Sequence, residues 1–108
     1  MLECKEGRLL RRDKGGGTNM KINVLLCDDD KNFLQRLTET VMKQPLPEGI
    51  SVMITKNPHS TNLRDRDLSQ YQIMFLDIDM PGRSGMEIAR RVRELHLDTL
   101  IIFVTNYP

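Results

Sequence analysis

The chain reads as a single α/β domain built on an open parallel sheet, and three observations carry that reading. Apolar runs at residues 22–27 and 73–76 each end in acid, Asp28-Asp29-Asp30 in one case and Asp77 in the other. The uninterrupted apolarity of the second run is what a strand covered by helices on both faces requires. Between the runs the hydrophobic period shifts from strand-like to helical and back, giving an order βαβαβαβ, the pattern of parallel strands joined by right-handed crossovers.

Residues 1–19 stand apart. They carry Lys5, Arg8, Arg11, Arg12 and Lys14, then Gly15-Gly16-Gly17, with no sustained apolar period, and so predict a disordered leader. Two readings of it stay open: a basic arm that touches nucleic acid, or a tag-like remnant ahead of a domain that begins at Met20. The domain proper spans residues 20–108.

Residues 22–27 predict the first strand. From residue 31 to 43 the period becomes helical, with Phe33, Leu34, Leu37 and Val41 on one face. Asp29 or Asp30 suits the N-cap, with Asp30 favoured as cap rather than ligand, and Pro45-Leu46-Pro47-Glu48-Gly49 ends the helix because proline has no N–H for the ladder. Residues 50–55 predict the second strand. Residues 56–71 offer only Leu63 and Leu68 as an apolar face, enough for one short helix. The third strand follows at residues 72–77. Ser84 and Glu87 have capping-box spacing before a helix whose apolar stripe is read as Met86, Ala89, Val92 and Leu95. Residues 100–104 predict the fourth strand.

Composition excludes more than it identifies. With 108 residues there is room for one small domain, and 16 basic against 15 acidic residues give a net charge of +1, no global case for nucleic acid or an anionic membrane. No apolar stretch is long enough to span a bilayer, so no membrane role is expected. The two cysteines, Cys4 and Cys27, fit neither a disulfide framework nor a zinc site, which points to a reducing, cytoplasmic setting. His59 and His96 lack ligand-spaced partners and are assigned to the surface; Met74, Met80 and Met86 are assigned to packing.

If the first and third strands are parallel neighbours, Asp28, Asp29 and Asp77 converge beyond their carboxyl ends. Crowded carboxylates repel unless a cation compensates them, and Mg2+, a hard ion that takes oxygen ligands, is the natural one.

The acidic cluster, the segment Phe75-Leu76-Asp77-Ile78-Asp79-Met80-Pro81-Gly82 and the late Ile101-Ile102-Phe103-Val104-Thr105 together resemble the receiver domain of two-component response regulators. Cys27-Asp28-Asp29 and Thr105-Asn106-Tyr107 are similar to the branch that carries a LytTR-type DNA-binding domain downstream. The resemblance implies a flavodoxin-like sheet of order 2-1-3-4 that is incomplete at its C-terminus. It implies Asp77 as phosphoacceptor from a sensor histidine kinase and Thr105 as the switch hydroxyl. It further implies Mg2+ held by Asp29, Asp77 and the backbone carbonyl of Asp79, with Asp28 acting through water. DNA would be reached only through an output domain outside this chain. The family's lysine after a fifth strand lies beyond Pro108.

Two alternatives remain at this stage. Asp77-Ile78-Asp79 after an apolar strand is also similar to the nucleophile and acid pair of haloacid-dehalogenase-like phosphatases, although Pro81 stands where that family expects Thr or Val. A receiver-like interaction module that accepts no phosphate is the other. The apolar fourth strand predicts an exposed edge that would either recruit a second copy, giving a homodimer, or belong to the ordered part of a longer polypeptide.

Overall fold

The computed structural model describes the backbone of residues 2–4 and 7–11 and all of residues 20–104. In chain order the elements are β1 (Leu2–Cys4), β2 (Gly7–Arg11), β3 (Met20–Cys27), α1 (Lys31–Met42), β4 (Ile50–Asn57), a 3-10 turn (Ser60–Asn62), α2 (Asp65–Leu68), β5 (Ile73–Asp77), α3 (Gly85–Glu94) and β6 (Leu100–Val104). They form one sheet of order β1-β2-β4-β3-β5-β6. The strands β4-β3-β5-β6 are mutually parallel, which is the expected 2-1-3-4 arrangement. The chain leaves β3 toward β4 and then returns to the other side for β5, so winding reverses at the β3/β5 boundary. A crevice opens beyond the carboxyl ends at such a switch point.

The leader departs from expectation. Its described residues, 2–4 and 7–11, form strands where disorder was expected: β1 pairs antiparallel with β2, and β2 pairs with β4 from Gly7 opposite Thr55 to Arg11 opposite Ser51. Strands at and next to a sheet edge are held chiefly by backbone hydrogen bonds and tolerate charge, so the absence of an apolar period did not reveal these two.

Strand alternation sorts the core into two layers. Val24, Leu26, Val52 and Ile54 face α1 with Leu34, while Leu25, Cys27, Met74 and Leu76 face α2 and α3 with Leu63, Leu68, Ile88 and Val92. In α1, Asp30 is the N-cap, accepting from the N–H groups of Asn32 and Phe33 at 3.0 and 3.1 Å. The inward face includes Thr38, fully buried because its Oγ1 donates to the Leu34 carbonyl at 2.7 Å. Such a bond lets a polar residue occupy a core position.

In α3, Ser84 Oγ accepts from the Glu87 N–H at 3.2 Å. The expected stripe needs one correction. Gly85, Ile88 and Val92 are buried with Ala89 and Leu95 packed beside them, whereas Met86 is 48% exposed. The helix starts so close to β5 that its first inward position is filled by a residue without a side chain, which turns Met86 outward. His59 and His96 are exposed, as expected. On β6, Leu100 is 56% and Phe103 40% exposed, so that edge is apolar and, among the described residues, paired on one side only.

Candidate metal centre

The parallel register brings Cys27 opposite Leu76, so the residues that follow, Asp28 and Asp77, emerge side by side at the switch point. A carboxylate oxygen from each of Asp28, Asp29 and Asp77 lies within 4.8 Å of the others. Asp28 and Asp77 are buried, at 1% and 7% exposure, and Asp29 faces solvent. The three acids that the sequence nominated are thus brought together.

Their hydrogen bonding is incomplete in an informative way. Asp28 Oδ1 accepts from the Asp30 N–H at 2.9 Å, but Asp28 Oδ2 is buried with no hydrogen-bond partner. Asp77 Oδ1 accepts from the Asp79 N–H at 3.3 Å, which folds the turn back over the strand end. Burial pushes the Asp28 carboxyl up to about 6, and the charges of Asp77, Asp29 and Asp30 add to the rise against the bond from the Asp30 backbone. An orphaned oxygen in a crowd of like charges is an arrangement that a bound cation would stabilise. The donors are all oxygen, which fits Mg2+ and excludes a soft ion. Cys27 adds no thiolate: burial, then the charges of Asp28 and Asp77, raise its thiol to about 12.

Asp30 serves as helix cap, and Asp79 lies exposed in the turn after Asp77. Thr105 lies outside the described residues. Three contributors were not singled out from sequence. A Cβ on Gly85 would collide with the carbonyl of Asp77, so only glycine lets α3 back onto the strand end. Ser60 and Arg83 join the turn after Asp77 to the 3-10 turn, with Ser60 Oγ donating to the Arg83 carbonyl and Arg83 Nη1 to the Leu63 carbonyl, both at 2.7 Å. A second glycine soon after Pro81-Gly82 was the readable hint for the first. Nothing in local pattern marks the other two, whose contacts span about twenty residues.

Comparison with known proteins agrees with this geometry. The response regulator receiver domain family matches residues 24–108. Stress response regulator protein 1 of Clavispora lusitaniae is 36% identical over 92 residues, covering 82% of this chain and 47% of that protein. The transcriptional regulatory protein DltR of Streptococcus agalactiae is 51% identical over 78 residues, covering 65% of this chain and 35% of that protein. The chain therefore spans half or less of either relative. Among solved structures, the response regulator DrrB of Thermotoga maritima, an OmpR/PhoB homologue, superposes with a TM-score of 0.63 at 25% identity, covering 82% of this chain and 37% of that one. Family membership leaves the phosphatase reading without support. By sequence, by fold and by its acid cluster, the chain belongs to the receiver domains of two-component response regulators.

Proposed function

We propose that Asp77 is the phosphoacceptor of this receiver domain, taking a phosphoryl group from a phosphohistidine on a sensor histidine kinase. The observation that supports this best is the buried, unpartnered Asp28 Oδ2 beside Asp77, in a cluster of three carboxylates. In the transfer an Asp77 oxygen forms a bond to phosphorus as the phosphorus–nitrogen bond of the donor breaks, leaving an aspartyl phosphate. Asp29 and Asp77 would hold Mg2+ with the Asp79 backbone carbonyl, and Asp28 would act through water. Bound Mg2+ supplies charge neutralisation between carboxylates and phosphoryl oxygens.

Asp28 keeps negative charge at the site once its proton is displaced, and Asp79 closes the turn through its N–H. Thr105 would supply the hydroxyl that answers the new phosphate. The product is stoichiometric and signals, rather than turning over. The output is a domain beyond this chain, DNA-binding and of the LytTR type by resemblance, and the setting is cytoplasmic. Among the described residues no helix is long and apolar enough to cross a membrane. The apolar β6 edge favours a homodimer when that edge is left open.

Intact mass spectrometry after treatment with a small phosphodonor and Mg2+ tests the proposal. One phosphoryl adduct is expected on the full-length protein and none on Asp77→Ala. An adduct that survives the substitution moves the nucleophile elsewhere. Titration with Mg2+ followed by amide shifts should give weaker binding for Asp29→Ala, and equal affinity would remove Asp29 from the ligand set.

A further inference from the structure

We infer that Ser60 and Arg83 are positioning residues for the acidic site, forming a clasp that fixes the turn after Asp77 against the 3-10 turn across the crevice. The inference rests on the proposed Mg2+-dependent role of Asp77. Three contacts from consecutive elements carry it. Ser60, 3% exposed, donates its hydroxyl to the Arg83 carbonyl at 2.7 Å. Arg83 returns a bond of 2.7 Å from Nη1 to the Leu63 carbonyl. Between them Gly82 adopts a φ of +84°, and a Cβ there would lie 2.8 Å from Thr61 Cγ2, so the two turns touch with no room for a side chain.

Within the turn the Arg83 N–H reaches the Pro81 carbonyl at 3.1 Å, but three bonds that tie its start to its surroundings are long: Ile78 N–H to the Val104 carbonyl at 3.4 Å, Gly85 N–H to the Ile78 carbonyl at 3.3 Å and Asp79 N–H to Asp77 Oδ1 at 3.3 Å. These three bonds are longer than those of the clasp. The short bonds of the clasp come from a segment that the rest of the fold already anchors, because Leu63 and Leu68 are buried in the core. Asp79, whose carbonyl is a proposed ligand, sits between the phosphoacceptor and the clasped residues. Its position is thereby set from outside the ligand set, as partners behind metal ligands generally do.

Charge offers a competing explanation with the opposite sign. If the Arg83 guanidinium mattered only as a cation near the acids, removing it would tighten Mg2+ binding. If it matters as a clasp, removal loosens the site. Ser60→Ala breaks the clasp without changing charge, Arg83→Met breaks it and removes charge, and Arg83→Lys keeps both a donor and the charge. On the full-length protein, Mg2+ affinity from amide shifts should fall about tenfold in the first two and recover in the third. Without metal, hydrogen exchange at residues 78–83 should quicken about tenfold in the same two variants, a loss of one ordinary hydrogen bond's worth of protection.

Val92→Ala serves as the control, destabilising the core away from the turn. Weakening of Mg2+ by Val92→Ala equal to that by Ser60→Ala would assign the effect to general stability and overturn the clasp. So would tighter binding in Arg83→Met, or unchanged affinity and exchange in Ser60→Ala while Asp29→Ala loses the ion. If the parent protein takes no Mg2+, the proposed function fails, and the exchange measurement alone decides whether the clasp exists.

Discussion

The two ends of the parallel strands obey opposite rules. At the amino end of β5, polar groups in the junction with β3 and β6 pair with neutral partners: Gln72 exchanges bonds with Asn23, its N–H to the Asn23 carbonyl at 2.9 Å and its Oε1 accepting from the Asn23 N–H at 2.6 Å. Asn23 Nδ2 reaches the Gln70 carbonyl at 3.1 Å, the Leu100 N–H reaches the Gln72 carbonyl at 2.9 Å, and Thr99 Oγ1 reaches the Tyr71 carbonyl at 3.1 Å. At the carboxyl end of the same strands, three acids crowd together and one buried oxygen is left without a partner. Neutral, satisfied groups make one end a structural joint. Unsatisfied like charges make the other a site, since groups arranged against stability persist where a ligand or reaction compensates them.

The largest test of that contrast is Gly85→Ala. The new methyl would meet the Asp77 carbonyl, and backbone has nowhere to retreat without displacing Asp77. Overpacking of this kind costs about 3 kcal/mol, more than the gain of about 1 kcal/mol that alanine brings to a helix. A denaturant melt should show the loss, and Mg2+ affinity should fall with it. Undiminished stability would mean that the end of β5 is more yielding than its contacts imply.

Next in size is Asp28→Asn, which should stabilise the metal-free protein. The native state raises the Asp28 pKa from 3.8 to about 6, so between those values it binds a proton that the unfolded chain has released. Stability from this group is therefore full below the lower value and is lost as pH rises through about 6. The rise corresponds to no more than about 3 kcal/mol, discounted to about 2 because solvent reaches the cluster at Asp29. Melts without divalent ions should find variant and parent alike near pH 4, with the variant gaining above pH 7. Saturating Mg2+ should then reverse the order at pH 7.5, since only the parent keeps the full set of acids. A variant that is less stable at every pH would mean that Asp28 is already compensated.

How much of this was legible in the sequence follows from the range of each interaction. The strands β3 to β6 and helices α1 and α3 were readable because burial imposes a period on neighbouring residues, and Asp28, Asp29 and Asp77 were readable because each stands where such a run stops. Asp30 could be recognised as a cap from its place before Lys31. The β1–β2 pairing was not readable, because pairing near a sheet edge leaves no periodic trace in a charged segment. Met86 was misassigned because a stripe drawn through apolar residues alone passes over Gly85, the true inward position. Ser60 and Arg83 escaped for a different reason: their bonds join residues brought together only by the crossover from β4 to β5.

The smallest effect belongs to the satisfied end. Asn23→Ala removes one donor, the Nδ2 bond to the Gln70 carbonyl, and leaves the backbone exchange with Gln72 in place. The freed carbonyl lies toward solvent and water replaces the lost partner, so the expected cost is about 1 kcal/mol, the net value of an ordinary hydrogen bond. Because no charge changes, that cost should be the same from pH 4 to pH 8, and Mg2+ affinity should not move. Paired with Asp28→Asn, the two effects should add, since Asn23 adjoins the amino end of β5 and Asp28 its carboxyl end, and they share no partner. A pH-dependent cost for Asn23→Ala, or a double variant that departs from the sum by more than about 0.5 kcal/mol, would show that the two ends of the sheet are coupled rather than separately built.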